Sequence, residues 1–340
     1  MARKVHTQSM RAISYSRVAD VATAIATVAA DPDAAYLAGG TTKVDMLRIY
    51  AEPSQRLVDI NDLPINHIEL QPDGAVRLGA LARMNDVAMS PIVSQRYPLL
   101  AEALILGASA QLRNMASMGG NMLQRTRCSY FRDHEAACNK REPGAGCSAL
   151  AGVNRGHAVL GTSEHCIATH PSDAAVALTA LDAIIHVQNR DGHHAYAVDD
   201  FFLAPGETPE REHPLGHGDL ITAIEVPPLP AARNSLYLKV RDRESYEFAL
   251  VSVALALRVE DGRVAEVRLA LGGVATKPWR ARRAEHALLG RPATHEHFLH
   301  AAREEMADAV PRAMNGFKIE LARRTMVRAL ETVTARGATP

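Results

Sequence analysis

Apolar residues recur every three or four positions in RVADVATAIATVAAD, and that period predicts an amphipathic helix over 17–31. A short β-type run, AAYLAGG, follows and delivers the chain into TTKVDMLRIY, which reads as a helix opening directly on Gly39, Gly40, Thr41 and Thr42. RLVDI and AVRLGAL are further strand candidates, and 98–107 is a further helix. After the loop ASMGGNM comes RTRCSYFRDHEAACNKREPGAGCSAL, residues 125–150, which is rich in glycine and charge, has neither period and reads as an irregular loop. Beyond it HAVLGT reads as a strand, PSDAAVALTALDA as a helix with Ser172 as its N-cap, and AIIHV as a strand.

The pattern stops in VPPLPAARNS, where Pro227, Pro228 and Pro230 interrupt regular structure, and a domain boundary is placed there. The division is 1–228 and 229–340. SLYLKV, FALVSVALALRV and RVAEVRLALGGV then read as three strands, followed by helices over 278–289 and 317–336. Strands first and helices after describe a small α+β unit. A length of 340 residues agrees with two or three such domains, each able to bury its own core.

Composition narrows the function classes. The chain has 38 basic and 38 acidic residues and only 4% aromatics, so neither a basic surface for nucleic acid nor a base-stacking platform is expected. No apolar run reaches the roughly eighteen residues of a membrane span. The first residues, MARKVHTQSMRAISYSR, are basic but lack an apolar core, so no secretory signal is expected there, and Met10 offers an alternative start.

Two features carry chemistry. Glycines at 39 and 40 between a strand and a helix let backbone N–H groups close on an anion, and SMGGN at 117–121 offers a second grip on the same diphosphate. Neither loop is G-x-G-x-x-G or a P-loop, and a Gly-Gly pair between a strand and a helix is more often an ordinary tight turn. The second feature is that all four cysteines, at 128, 138, 147 and 166, fall in one window with nine, eight and eighteen residues between successive members. Structural zinc usually brings a Cys-x-x-Cys turn, which is missing, disulfides need an oxidising compartment, and unrelated thiols would be scattered. Four thiolates on an irregular loop suit a 4Fe-4S cluster. Six basic against four acidic residues between 125 and 166 would favour an anionic cluster, and Gly144 and Gly146 would let N–H groups approach its sulfurs.

YLAGGTTKVDML, RNMASMGGNMLQ, THPSDAAVALTALDA, GDLITAIEVP, YLKVRDRESYEFALVSVALAL and LGGVATKPWRARRAE together resemble the FAD-binding medium subunit of the xanthine dehydrogenase and carbon monoxide dehydrogenase family of molybdenum hydroxylases. The resemblance covers nearly the whole chain. Within that family, the cysteine window and HAVLGTSEHCIATHPSD are most similar to the FAD subunits of bacterial periplasmic aldehyde oxidoreductases that carry an added 4Fe-4S cluster. It implies an α+β fold: a two-part FAD-binding domain of the vanillyl-alcohol-oxidase type, with the cluster insertion at about 125–167, then a C-terminal α+β domain of the carbon monoxide dehydrogenase flavoprotein type.

For the site, the resemblance implies that Tyr36, Leu37, Ala38, Gly39, Gly40, Thr41, Thr42 and Lys43 wrap the FAD diphosphate, with Ser117, Gly120 and Asn121 completing the grip. It further places Asp173 on the ribose or adenine side, Ile221 near the nucleotide or flavin, and Lys239 near the flavin ring. Cys128, Cys138, Cys147 and Cys166 match the cluster ligands. No catalytic residue is expected on this chain. A 2Fe-2S subunit and a large molybdenum-cofactor subunit would be its partners, aldehyde the substrate of the complex, and an external acceptor the electron sink. A 4-hydroxybenzoyl-CoA reductase-like subunit and a zinc-stabilised assembly protein without redox chemistry are the alternatives. The compartment is expected to be the periplasm, by co-transport with a signal-bearing partner, or the cytoplasm.

Overall fold

The computed structural model describes residues 12–337 apart from residue 53, so Met10 and the segment before it lie outside the described residues. The first unit comprises β1 (Ser14–Arg17), α1 (Val21–Ala29), β2 (Ala34–Leu37), α2 (Lys43–Arg48) and β3 (Arg56–Asp59), with β1 and β2 both parallel to the central β3. Helix α1 starts later than the apolar period suggests, because Arg17 belongs to β1 and the Asp20 side chain accepts the Thr23 N–H at 2.8 Å. Ala24, Ile25 and Val28 form its buried stripe.

The second unit is built on an antiparallel five-stranded sheet of order β4-β5-β8-β6-β7. Its elements in chain order are β4 (Ile68–Leu70), β5 (Val76–Gly79), α3 (Met84–Met89), α4 (Pro91–Arg96), α5 (Pro98–Leu106), α6 (Ala110–Met115), α7 (Met118–Met122), α8 (Ser129–Arg132), α9 (Asp173–Ala180), β6 (Ile184–Asn189), β7 (Gly192–Ala197), α10 (Val198–Phe201) and β8 (Leu220–Val226). Helix α9 is buried along nearly its whole length and starts where the Ser172 hydroxyl accepts the Ala175 N–H at 2.9 Å, as the sequence indicates. HAVLGT is not a strand. Val159 and Leu160 both donate to the one carbonyl of Val274, at 2.8 and 3.0 Å, so no ladder propagates and a single bridge to Ala275 remains.

A short 3₁₀ turn (Pro230–Arg233) occupies the proline-rich stretch. After it come β9 (Ser235–Val240), β10 (Val251–Glu260), β11 (Arg263–Gly272), β12 (Trp279–Arg280), α11 (Arg282–Leu288), α12 (His295–Glu305) and α13 (Phe317–Gly337), with sheet order β12-β11-β10-β9. The helix expected from 278 begins at Arg282, because Trp279 and Arg280 pair with Leu271 and Ala270. Strand β10 reads as a continuous apolar run because both its faces are covered. Ala254 and Ala256 meet the core of the second unit, while Val253, Leu255 and Leu257 meet the core under α12 and α13. Small residues on the first face let the sheet approach α9 closely. Lys318 of α13 is fully buried and donates to the carbonyls of Gly156 and Gly273 at 2.9 and 2.7 Å, tying the end of the cysteine segment to β11.

Candidate functional site: a glycine-lined cleft beside a four-thiol pocket

The two glycine loops, 76 residues apart at Gly39 and Met115, touch through their backbones: a Cβ on Gly39 would lie 1.8 Å from the Met115 carbonyl oxygen. Gly40 adopts φ +74°, a conformation that L side chains rarely enter. Ser117 caps α7 by accepting the Gly120 N–H at 3.2 Å. Between these loops and the segment 210–221 lies a cleft of about 510 Å³. Tyr36, Ala38, Gly39, Gly40, Thr41, Thr42, Lys43, Ser117, Gly120 and Ile221 line it. Tyr36 fixes one wall by donating its hydroxyl to the Gly218 carbonyl at 2.6 Å.

The remaining four predicted residues lie off the cleft. Leu37 packs beside the Gly40 turn. Asn121 is buried behind α7, where its Oδ1 accepts the Ser172 hydroxyl and its amide faces the Met84 sulfur at 3.2 Å. Asp173 and Lys239 form a buried ion pair at 2.7 Å, and Tyr237 donates to the other carboxylate oxygen at 2.7 Å. Burial raises the Asp173 carboxyl against the opposing pull of Lys239. Asp173 borders a smaller pocket that it shares with Arg127, His170 and Phe248.

Sequence reasoning missed the charged floor of the cleft. Arg125 pairs with both Glu52 and Glu212, Lys43 stands 3.8 Å from Glu52, and Glu212 takes a second cation, Lys140, at 2.9 Å. Burial raises the Glu212 carboxyl, but Lys140 and Arg125 outweigh it and hold it below its ordinary value. His213 also lines the cleft, stacked on Phe201 at 5.9 Å; burial lowers its imidazole, and its Nδ1 has no hydrogen-bond partner. Segment 203–219 has no period that would mark it. The one usable signal was the position of Arg125, just before the first cysteine.

All four cysteines are free thiols and line one small cavity together with Lys140 and His165. Cys138 and Cys147 face each other across an antiparallel bridge, closed by Asn139 N–H to the Gly146 carbonyl at 2.7 Å. The Gly146 N–H is taken by the Asn139 side chain at 2.7 Å and does not face sulfur. The groups that do are Tyr130 and Phe131 N–H toward Cys128, and Ala168 N–H toward Cys166 at 3.5 Å. His157 Nε2 lies 3.2 Å from the Cys128 sulfur. Burial, with Cys138 and Cys166 adding repulsion, pushes the Cys128 thiol up to about 11.

Among the described residues no three His, Cys, Asp or Glu side chains are gathered tightly enough to hold one metal ion. A cubane asks for something different: each thiolate serves its own iron, so four sulfurs must converge on a cavity rather than on a point. Four thiols lining one cavity, with N–H donors aimed at two of them, supply the donor type and number such a cluster needs.

Residues 9–229 match the family model described as the FAD binding domain in molybdopterin dehydrogenase, and residues 236–333 match the carbon monoxide dehydrogenase flavoprotein C-terminal domain. The aldehyde oxidoreductase FAD-binding subunit PaoB of Escherichia coli (strain K12) is 44% identical over 96% of this chain and 100% of its own length. The carbon monoxide dehydrogenase medium chain of Hydrogenophaga pseudoflava is 26% identical over 90% of this chain and 91% of its own. A solved structure of carbon monoxide dehydrogenase from that organism, lacking the Mo-pyranopterin moiety, superposes with a TM-score of 0.75 at 26% identity, covering 96% of this chain and 99% of its own. The mixed helix-and-sheet architecture, the meeting of the glycine loops and these likenesses agree, and the chain belongs to the FAD-binding medium subunits of the xanthine and carbon monoxide dehydrogenase family of molybdenum hydroxylases.

Proposed function

We propose that this polypeptide is the electron-transfer subunit of a molybdenum-dependent aldehyde oxidoreductase, holding FAD in the glycine-lined cleft and a 4Fe-4S cluster on Cys128, Cys138, Cys147 and Cys166. The observation that carries the reading is the convergence of two glycine loops from separate segments on one cleft, beside a second cavity lined by every cysteine in the chain. The full-length likeness to the aldehyde oxidoreductase subunit selects the substrate class. FAD, once bound, accepts electrons from iron-sulfur centres and passes them on singly or in pairs.

The chain's own residues would bind and orient. Backbone N–H groups of the first loop would face the diphosphate, Ser117 and Gly120 would close the cleft around it from the second loop, Lys43 would add a cation at the same end, and Ile221 would pack against the nucleotide. Asp173, on the ribose or adenine side, and Lys239, near the flavin ring, would act as a pair already neutralised by each other. His157 would donate Nε2–H to the Cys128 thiolate, since an iron-bound thiolate is only an acceptor. A 2Fe-2S subunit and a large molybdenum-cofactor subunit complete a heterotrimer, in the periplasm by co-transport or in the cytoplasm. The proposed domain division after residue 228 lies one residue inside the end of the first matched region, at 229, and seven residues before the second begins at 236.

The test is co-expression with the neighbouring subunits, anaerobic purification, and measurement of FAD, iron, acid-labile sulfide and zinc per chain. One FAD per chain is expected, with four irons and four sulfides beyond those of the 2Fe-2S subunit, and the separated subunit should oxidise no aldehyde. Zinc in place of that additional iron would replace the cluster by a structural metal, and aldehyde turnover by the isolated chain would move the chemistry onto this polypeptide.

A further inference from the structure

Helix α2 carries the chain directly out of the first glycine loop, yet it has only six residues, too few to be stable alone. What holds it is the cysteine segment. Met46, its one fully buried side chain, packs with Phe131 and Cys138. Asp45 receives Arg127 at 3.0 Å and both terminal nitrogens of Arg132 at 2.8 Å. His134 reaches the Ile49 carbonyl at the end of the helix. Arg125, its guanidinium 4.9 Å from the Phe131 ring centroid, pairs with Glu52 just beyond. All these contacts come from residues 125–138, the stretch that leads into and spans the first two cysteines.

That stretch has little order of its own. It contains one helical turn, α8, and beyond the contacts to α2 it is held by scattered bonds: Arg141 donates to the carbonyls of Tyr130 and Phe131 at 2.9 and 2.8 Å, Thr126 to the Thr169 carbonyl at 3.1 Å, and the Val153 N–H to the Tyr130 hydroxyl at 2.6 Å. A cluster that fixes Cys128 and Cys138 would pin both ends of it. The glycine loop, α2 and the cysteine segment therefore form one cooperative unit, although their sequences are far apart. When only a fraction of molecules has that unit assembled, apparent affinity for a ligand of the loop falls by the same fraction.

We propose that the cysteine segment is the platform on which the nucleotide-binding loop is ordered, so that assembly of the cluster sets the affinity of the subunit for FAD. The inference rests on the cluster reading for its trigger and on the α2 contacts for its route.

The experiment uses the full complex, purified anaerobically, with FAD removed and then titrated back while flavin fluorescence is followed and iron is assayed in parallel. Cys138→Ser should lose the iron in excess of that on the 2Fe-2S subunit and bind FAD about tenfold more weakly or worse, equivalent to ~1.4 kcal/mol. Asp45→Asn, which leaves every cysteine and every cleft residue in place, should keep its iron and weaken FAD about threefold. Should Cys138→Ser fail to fold, Cys147→Ser gives the same comparison. Wild-type affinity in folded complex that has lost the iron of the cysteine pocket overturns the coupling alone, as does an unchanged affinity in Asp45→Asn. A wild-type complex that binds FAD but holds no iron beyond that of its 2Fe-2S subunit overturns the cluster reading and the coupling with it.

Discussion

The glycine cleft and the cysteine pocket are linked by one ion pair, Lys140 with Glu212, but are held in opposite ways. The cleft takes its shape from regular elements: β2 delivers one loop, α7 carries the other, β8 supplies Ile221, and backbones press together at Gly39 and Met115. The pocket has almost no regular structure, and its walls are fixed by side chains reaching backbone groups, as Arg141 does to Tyr130 and Phe131 and Asn139 to Gly146. A site made of backbone tolerates side-chain changes and fails when a Cβ is added. A site made of side chains fails one residue at a time. Lys140 and Glu212 bridge the two, with Lys140 on the pocket and Glu212 on both the cleft and the cavity behind Cys166.

The largest effect should come from outside both, at the buried pair that borders neither wall of the main cleft. Lys239→Met leaves Asp173 buried without its cation and should cost about 3–5 kcal/mol in chemical denaturation. If the pair also serves the flavin ring, the flavin's visible absorption band shifts in the surviving folded protein; an unshifted band confines the pair to holding α9 against β9. Gly39→Ala tests the backbone contact directly. With the added carbon driven into Met115, stability should fall by about 3 kcal/mol and FAD should be lost, read by melting temperature and flavin content. A fully loaded Gly39→Ala protein would show that the loops do not grip the cofactor together. Ser172→Ala should be mildest, at about 1–2 kcal/mol, because it removes the α9 cap and leaves the Asn121 oxygen short of a donor without adding bulk.

The same contrast explains what could be read in advance. Helix α9 with its Ser172 cap, the strands β9 to β11 and the glycine loops announce themselves through period and through residues suited to one backbone task. HAVLGT failed because its alternation was real but its two amides share one carbonyl. Helix α12 was missed: its polar, histidine-rich sequence HEHFLHAAREE buries only Phe298, Ala301, Ala302 and Glu305. The cysteines could be grouped by residue type alone. Which N–H groups face them could not, since the flexible-looking Gly146 is committed to Asn139 and the donor to Cys166 is Ala168. The charged floor of the cleft was equally hidden, because Glu52, Arg125 and Glu212 come from three segments that only the fold unites.

The buried amine of Lys318 gives folding a pH response of its own. Burial lowers it from 10.5 to about 7, and two carbonyl acceptors are matched by the two N–H bonds of an uncharged amine. The unfolded chain holds this proton up to its ordinary value while the folded chain releases it near neutrality. Between about 7 and 10.5 the unfolded state therefore binds more protons, and this residue makes folding more favourable as pH rises through that window. Denaturation midpoints of the wild type minus those of Lys318→Met should increase across that range, where a lysine kept as a structural cation would leave the difference flat.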